Sequence, residues 1–169
     1  EARRAAAWLA GGWTARAGEE LVGSDDETTR WFVAYTLHLE GRYREAHAWP
    51  RRAGTGWERD CGVGARWRWE IAYPRAYAEI VDKAAVENEL SPWLVQAVMR
   101  EESAFRPDVV SFAQAIGLMQ LLESTGTDYA KKRYGWTIDA ADLLDPTLNV
   151  PVGAAFLAHL RDKLHTHPV

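Results

Sequence analysis

The stretch "MREESAFRPDVVSFAQAIGLMQ", Met99 to Gln120, closes an apolar run with two adjacent glutamates and continues into a segment carrying a glycine and two amides. An α-helix turns about 100° per residue, so Leu94, Val95, Val98 and Met99 form one apolar stripe. On that wheel Glu102 falls within about 10° of the stripe and Glu101 about 90° away, which assigns Glu102 to the core side and Glu101 to the rim. A carboxyl group carried into apolar surroundings loses solvation of its charged form. Its pKa then rises, and it can act as a general acid near neutral pH. Position alone favours a plainer reading, a glutamate at a helix end that is solvated or paired with Arg100 or Arg106. The context reverses that order. Ser111, Gly117 and Gln120 follow Glu102 by 9, 15 and 18 residues, with Phe105-Arg106-Pro107 turning the chain between them. A hydroxyl and an amide beside a poised acid, on a backbone loosened by glycine, make a pocket for a neutral, hydrogen-bonding substrate.

The flanking sequence is helical in period. After Tyr73, Pro74 suits a first helical position, and Tyr77, Ile80, Val81 and Ala84 share one face. Ser91-Pro92 is an N-cap with proline in the first turn of a helix running to about Ala104. Ser124 is the expected cap of a further helix through Tyr134, closed by Gly135. Asp145-Pro146 opens the last helix, bent at Pro151 and carrying Phe156, Leu157 and Leu160. No alternating strand pattern competes with these signals, and the predicted fold class is all-α.

Upstream, Gly12-Trp13-Thr14-Ala15-Arg16-Ala17 recurs in outline 29 residues on as Gly41-Arg42-Tyr43-Arg44-Glu45-Ala46, each following an apolar run and each placing Ala five positions after Gly. That spacing suits helical repeats, in which helices pack closely. The opening "EARRAAAWLAGGWTARAGEE" mimics a secretory leader, yet its middle is diluted by Gly11 and Gly12, and the repeat explains it better. Between Pro50 and Trp67 five glycines or prolines mark a linker, followed by Trp67, Trp69 and Tyr73. Those rings either stack on sugar faces or pack between domains, and packing is the stronger reading. The expected organisation is residues 1–52 as a helical-repeat segment, 53–72 as linker, and 73–169 as the domain that carries the candidate acid.

Composition narrows the function. The chain has 169 residues, 47% of them hydrophobic, and a net charge of −4. Its cations are scattered among acids rather than gathered in a stripe, which argues against a nucleic-acid partner. Cys61 is the only cysteine, so an intrachain disulfide or a thiolate metal cage is impossible. No apolar run approaches the roughly 18 residues that span a bilayer. His159, His165 and His167 do not share one helical face, so neither a metal nor any other cofactor is expected.

"ESAFRPDVVS", Glu102 to Ser111, together with "GLMQL", Gly117 to Leu121, resembles the signature of the soluble lytic transglycosylases, whose catalytic domain is similar to goose-type lysozyme. "YPRAYAEIV" resembles the family's entry helix, "LLDPTLNVPVG" its later Asp-Pro and Asn-containing helix, and "GRYREAHAW" the helical superhelix that often precedes the catalytic domain. The resemblance implies peptidoglycan glycan strands as substrate, in the periplasm or cell envelope. It implies that Glu102 first protonates the β-1,4 glycosidic oxygen between N-acetylmuramic acid and N-acetylglucosamine, then removes a proton from the muramic C6 hydroxyl as the 1,6-anhydro ring closes. The second carboxylate of most glycosidases is dispensable because the nucleophile lies within the substrate. Asp108, in a Pro-Asp turn, reads as solvated.

By the same resemblance, Ser111 and Gln120 hold the sugar, Gly117 admits its close approach, Met119 lines the cleft, and Ser103 orients the acid. Against these stand local readings: Ser111 as a turn cap, Gln120 as a buried bridge, Met119 as core. Phe112 and Gln114 stand where the family usually has Pro and Gly, and Leu122-Glu123 replaces Met-Pro. The family's later Ala-Tyr-Asn-Ala-Gly segment is not in this sequence, so the resemblance implies that residues 73–169 are a transglycosylase catalytic domain incomplete at its C-terminus. A hydrolytic muramidase of the same fold and an inactive peptidoglycan-binding or scaffold module are the alternatives.

Overall fold

The computed structural model describes residues 2–20, 27–52, 56–59 and 62–166. It is 69% helical, and it divides into two compact units, Glu1–Ala76 and Tyr77–Val169. Cys61 and His167, with the side chain of His165, lie outside the described residues.

In the first unit α1 (Ala2–Ala10) and α2 (Thr14–Glu19) form one hairpin, and α3 (Glu27–Leu39) and α4 (Tyr43–Arg52) form the next. Both turns close in the same way. Gly12 and Gly41 take φ of 76° and 72°, a left-handed conformation that costs side-chain-bearing residues but not glycine. The following amides then reach back five residues, Trp13 N to Trp8 O at 2.8 Å and Arg42 N to Leu37 O at 3.0 Å. Ala17 and Ala46, five positions after each glycine, are fully buried, so the 29-residue repeat is a repeat of hairpin geometry. Helix α5 (Arg66–Ala72) follows two short 3₁₀ turns, Trp57–Arg59 and Val63–Ala65. Trp67 and Trp69 pack within this unit. Trp31 meets the edges of Trp57 and Trp67 at centroid distances of 5.2 and 5.5 Å, and Trp69 meets Trp57 at 5.1 Å. Edge-to-face aromatic geometry of this kind adds about 0.5–1.5 kcal/mol per pair beyond area burial.

The second unit is built from α6 (Ala78–Glu87), α7 (Pro92–Ser103), α8 (Glu123–Tyr129) and α9 (Pro146–Thr166). Its fully buried side chains include Val81, Val95, Met99, Leu118, Leu143 and Val150. Pro74 does not start a helix: the chain turns at Tyr77, held at φ 54°, and α6 begins one residue later. Ser91 and Pro92 occupy the N-cap and first-turn positions expected of them, although the Ser91 side chain makes no cap bond. Helix α8 begins at Glu123 rather than being capped by Ser124, runs on as a π-helical turn (Ala130–Tyr134), and ends at Gly135 in the left-handed region. At α9 the Asp145 carboxylate accepts the Thr147 amide at 2.8 Å, and Pro151 sits inside the helix. The Tyr134 hydroxyl donates to the Pro151 carbonyl at 3.2 Å and accepts from Asn88 Nδ2 at 3.3 Å. Burial pushes the Tyr134 phenol up from its ordinary value, so it stays a donor in this bridge. Two strands of two residues each, β1 (Ala115–Ile116) and β2 (Leu121–Leu122), pair antiparallel, with a further bridge from Val110 to Ile116.

Candidate active site

Helix α7 delivers the two glutamates at its C-terminal turn. Its buried face is centred on Val95, Gln96, Met99 and Ser103, not on the stripe that apolar residues alone define. Gln96 is 5% exposed, whereas Leu94 is 42% exposed. The helix is therefore rotated so that Glu102 lies about 75° from the centre of the buried face and Glu101 about 175°. Both carboxylates are exposed, which corrects the expectation that Glu102 points into the core. The physical reason is that an amide, Gln96, takes an inward place that a hydrophobic wheel gives to Leu94.

The two glutamates nonetheless differ in surroundings. Glu101 accepts from Arg100 Nη1 at 2.9 Å. No hydrogen bond or ion pair is made to the Glu102 side chain among the described residues. The last turn of a helix is the negative end of its macrodipole, where cations are favoured by about 0.3–1 kcal/mol and a carboxylate is not. Glu102 thus stands unpaired at the end of the helix that suits it least. Stability does not account for it.

Just beyond it the backbone is strained. Of six non-glycine residues with positive φ among those described, four lie in this motif: Ala104, Phe105, Gln114 and Gln120. Each such residue costs about 1–2 kcal/mol, and such strain gathers where a site over-determines its geometry. Ala104 and Phe105 turn the chain out of α7, anchored by the Phe105 ring, which is buried. Arg106 Nε covers the freed Ser103 carbonyl at 3.3 Å. The chain then forms the small sheet, and the remaining candidates lie in the loops beside its strands.

Ser111 is a turn cap in this structure. Its Oγ accepts the Ala115 amide at 3.0 Å, and its own amide donates to Ala115 O at 2.8 Å. Gln120 bridges the loop: Nε2 donates to Gly117 O at 2.9 Å and to Val109 O at 3.3 Å, while Oε1 has no such partner. Gly117, at φ 75°, is pressed against the Leu143 carbonyl and the Asn149 amide, where any Cβ would collide. Its close approach is to this chain. Met119 is buried with its side chain against Gly153. The Ser103 hydroxyl donates back to Met99 O at 3.0 Å, on the buried face of α7. Ser111 and Gln120 thus both lie in the loop that flanks the small sheet, whereas Gly117, Met119 and Ser103 pack against this chain. His159 faces the Tyr129 ring at 5.8 Å.

Asn149 organises this loop, and sequence reasoning gave it no role. It is 1% exposed. Its Oδ1 accepts the Met119 amide at 2.8 Å, and its Nδ2 donates to Ile116 O at 3.0 Å and Leu143 O at 2.8 Å. One side chain ties α9 to both sides of the motif turn. The available signal was an amide set inside an apolar helical run, Leu148-Asn149-Val150, where a buried polar group needs partners.

Gln114 occupies the position at which the resemblance expects Gly, and it adopts a glycine-like φ of 62°. The turn is kept at the expense of strain. Replacing Gln114 by Gly is expected to stabilise the second unit by about 0.5–1 kcal/mol, the relief of left-handed strain less the extra chain entropy of glycine. Thermal unfolding followed by circular dichroism would show a rise of about 2–8 °C. A fall would mean that the Gln114 side chain holds the turn.

Comparison with known proteins identifies the family of the second unit. Residues 79–168, more than half of the chain, match the Transglycosylase SLT domain, and the chain belongs to that family. The membrane-bound lytic murein transglycosylase C of Actinobacillus pleuropneumoniae is 42% identical over 91 residues, covering 53% of this chain and 25% of that protein. The endo-type membrane-bound lytic murein transglycosylase A of Salmonella enteritidis is 35% identical over 100 residues, covering 57% and 49%. The chain therefore spans between a quarter and a half of the length of these relatives. Among solved structures, the 70 kDa soluble lytic transglycosylase of Escherichia coli superposes with a TM-score of 0.70 at 21% identity, over 96% of this chain and 25% of that one. The lytic transglycosylase Slt of Pseudomonas aeruginosa, solved as an inactive glutamate-to-glutamine mutant, gives 0.68 at 23%, over 96% and 25%. At these identities the likeness is one of fold.

Proposed function

We propose that this chain carries the catalytic acid of a peptidoglycan lytic transglycosylase. The observation that carries the reading is Glu102, an unpaired carboxyl group at the unfavourable end of α7, followed at once by the strained motif loop. Family membership supports it.

In the proposed reaction the protonated Glu102 gives its proton to the glycosidic oxygen as the bond from that oxygen to the muramic C1 breaks. The N-acetylglucosamine side leaves as an alcohol, and positive charge develops at C1. The resulting carboxylate takes the C6 hydroxyl proton while the C6 oxygen bonds to C1. Glu102 is restored to its acid form, and no water is consumed. A second carboxylate is unnecessary because the attacking oxygen is held within the substrate at high effective concentration. Ser111, through its free hydroxyl proton, and Gln120, through Oε1, are the groups assigned to the N-acetyl or peptide-bearing sugar. No cofactor enters these steps. The substrate places the activity in the periplasm or cell envelope; no helix of the described residues is long and apolar enough to cross a membrane.

Digestion of purified peptidoglycan followed by mass spectrometry tests the reading. The expected products are anhydromuropeptides, lighter by one water than hydrolytic products and lacking a reducing end. Reducing muropeptides as the main product would replace this reading with hydrolysis on the same fold. Glycan binding without release would point to the scaffold alternative.

A further inference from the structure

Phe112 is fully exposed, at 105% the most exposed of the large apolar side chains described, yet it does not sit on a loose loop. Its turn is pinned by Ser111 N to Ala115 O at 2.8 Å, Gln114 N to Ser111 O at 3.0 Å and Ala115 N to Ser111 Oγ at 3.0 Å. The adjoining strand is tied by Gly117 N to Val109 O at 2.8 Å. A ring standing wholly in water forgoes the roughly 1.5–3 kcal/mol that burial of such a side chain supplies. Its neighbours Ala113 and Gln114 are exposed as well, and Val110 and Leu122, about half exposed, are the other large apolar side chains of this segment that reach solvent.

The groups around it narrow the ligand. The Ser111 hydroxyl accepts within the turn and keeps its proton for an outward donation, and Gln120 keeps Oε1 as an acceptor. No Lys, Arg or His lies between Pro107 and Ala130, which disfavours phosphate or an anionic lipid surface. One Phe ring offers about 150–250 Å². That is far below the roughly 800 Å² per partner of a stable protein interface, but it matches the face of one sugar ring. A pyranose has the complementary form, an apolar C–H face edged by hydroxyl and amide groups.

We infer that Phe112 is a sugar-stacking residue, its ring covering the apolar face of an N-acetylhexosamine on the glycan strand that reacts at Glu102. This inference rests on the glycan-cleaving reading. It gives the chain an aromatic recognition element where the family pattern has proline, held rigid so that little ordering cost attends binding.

The test is binding of N-acetylglucosamine oligomers, measured by calorimetry, to the full chain carrying Glu102→Gln so that turnover does not interfere. Adding Phe112→Ala or Phe112→Leu should weaken binding about tenfold, the loss expected for one good contact, whereas Phe112→Trp should stay within about threefold. Leucine separates flat-ring stacking from general apolarity. With Glu102 intact, Phe112→Ala should raise KM for glycan while kcat stays within about twofold, because the ring binds ground and transition states alike. Folding does not confound the result, since a fully exposed ring can be removed without leaving a cavity. Unchanged oligomer binding by Phe112→Ala, alongside normal binding with Phe112 present, overturns the stacking role and leaves the glycan reading intact. No oligomer binding with Phe112 present overturns both.

Discussion

Replacing Glu102 with glutamine is expected to lower the release of soluble muropeptides from peptidoglycan by about 10³-fold or more, since the proposed mechanism assigns general acid and base contributions of about 10²–10⁴ to this one side chain in both steps. Glutamine keeps the size and hydrogen-bonding reach of the side chain but has no proton to give. Glycan binding should persist, and so should the melting temperature, because Glu102 is exposed and makes no ion pair among the described residues. Removing an unpaired charge from the negative end of α7 should, if anything, stabilise the helix slightly. Glu101→Gln is the matched control. It breaks the exposed pair with Arg100, worth about 0–1 kcal/mol, and should leave turnover within about twofold. Equal losses from the two substitutions would show that neither residue is singled out and would remove the basis of the mechanism. A loss confined to Glu101 would transfer the role to the residue facing away from the buried side of the helix.

That control matters because the distinction between the two glutamates was only partly legible in the sequence. The helical period correctly separated Glu102 from Glu101, since their angular difference is a property of the helix and not of its packing. The orientation of the whole helix was not legible. An apolar wheel puts Leu94 and Val98 inside, whereas the fold buries Gln96 and Ser103 and leaves Leu94 in part exposed. Which side of α7 is covered depends on elements distant in sequence, and no local pattern carries that information. The two glycine turns of the first unit were legible for the opposite reason: left-handed closure and the buried alanine five residues later are local requirements. Strands of two residues are too short to show alternation, so β1 and β2 left no trace. Gln114 stands where the resemblance expects glycine, and the backbone keeps the glycine-like conformation with glutamine in it.

Asn149 is the sharpest case of a residue whose work is non-local, and Asn149→Ala is expected to be the most destabilising single change in the second unit that leaves Glu102 untouched. Its side chain meets Met119 from 30 residues away and Ile116 from 33. Truncation strands the Met119 amide and the carbonyls of Ile116 and Leu143 in a site that is 1% exposed. An unsatisfied buried backbone group costs about 1–3 kcal/mol, so the loss should total roughly 3–6 kcal/mol after partial relaxation. For a unit of this size each kcal/mol moves the melting temperature by about 4–8 °C, and a fall of more than about 12 °C should follow in calorimetry. Asn149→Asp separates the two halves of the contact. It preserves the acceptor for Met119 but sets a carboxylate oxygen against two carbonyls, so it should be nearly as damaging as alanine. Thr147→Ala, on the exposed first turn of the same helix, removes only a hydroxyl bonded to Asp145 and should cost at most about 1 kcal/mol. Where Asn149→Ala remains folded at low temperature, kcat per folded molecule should also fall, because the turn bearing Ser111 and Gln120 is no longer tied to α9. A melting shift under about 4 °C would mean that water or a rearranged backbone satisfies the three groups, and the motif loop would then owe its shape to its own strained turns rather than to Asn149.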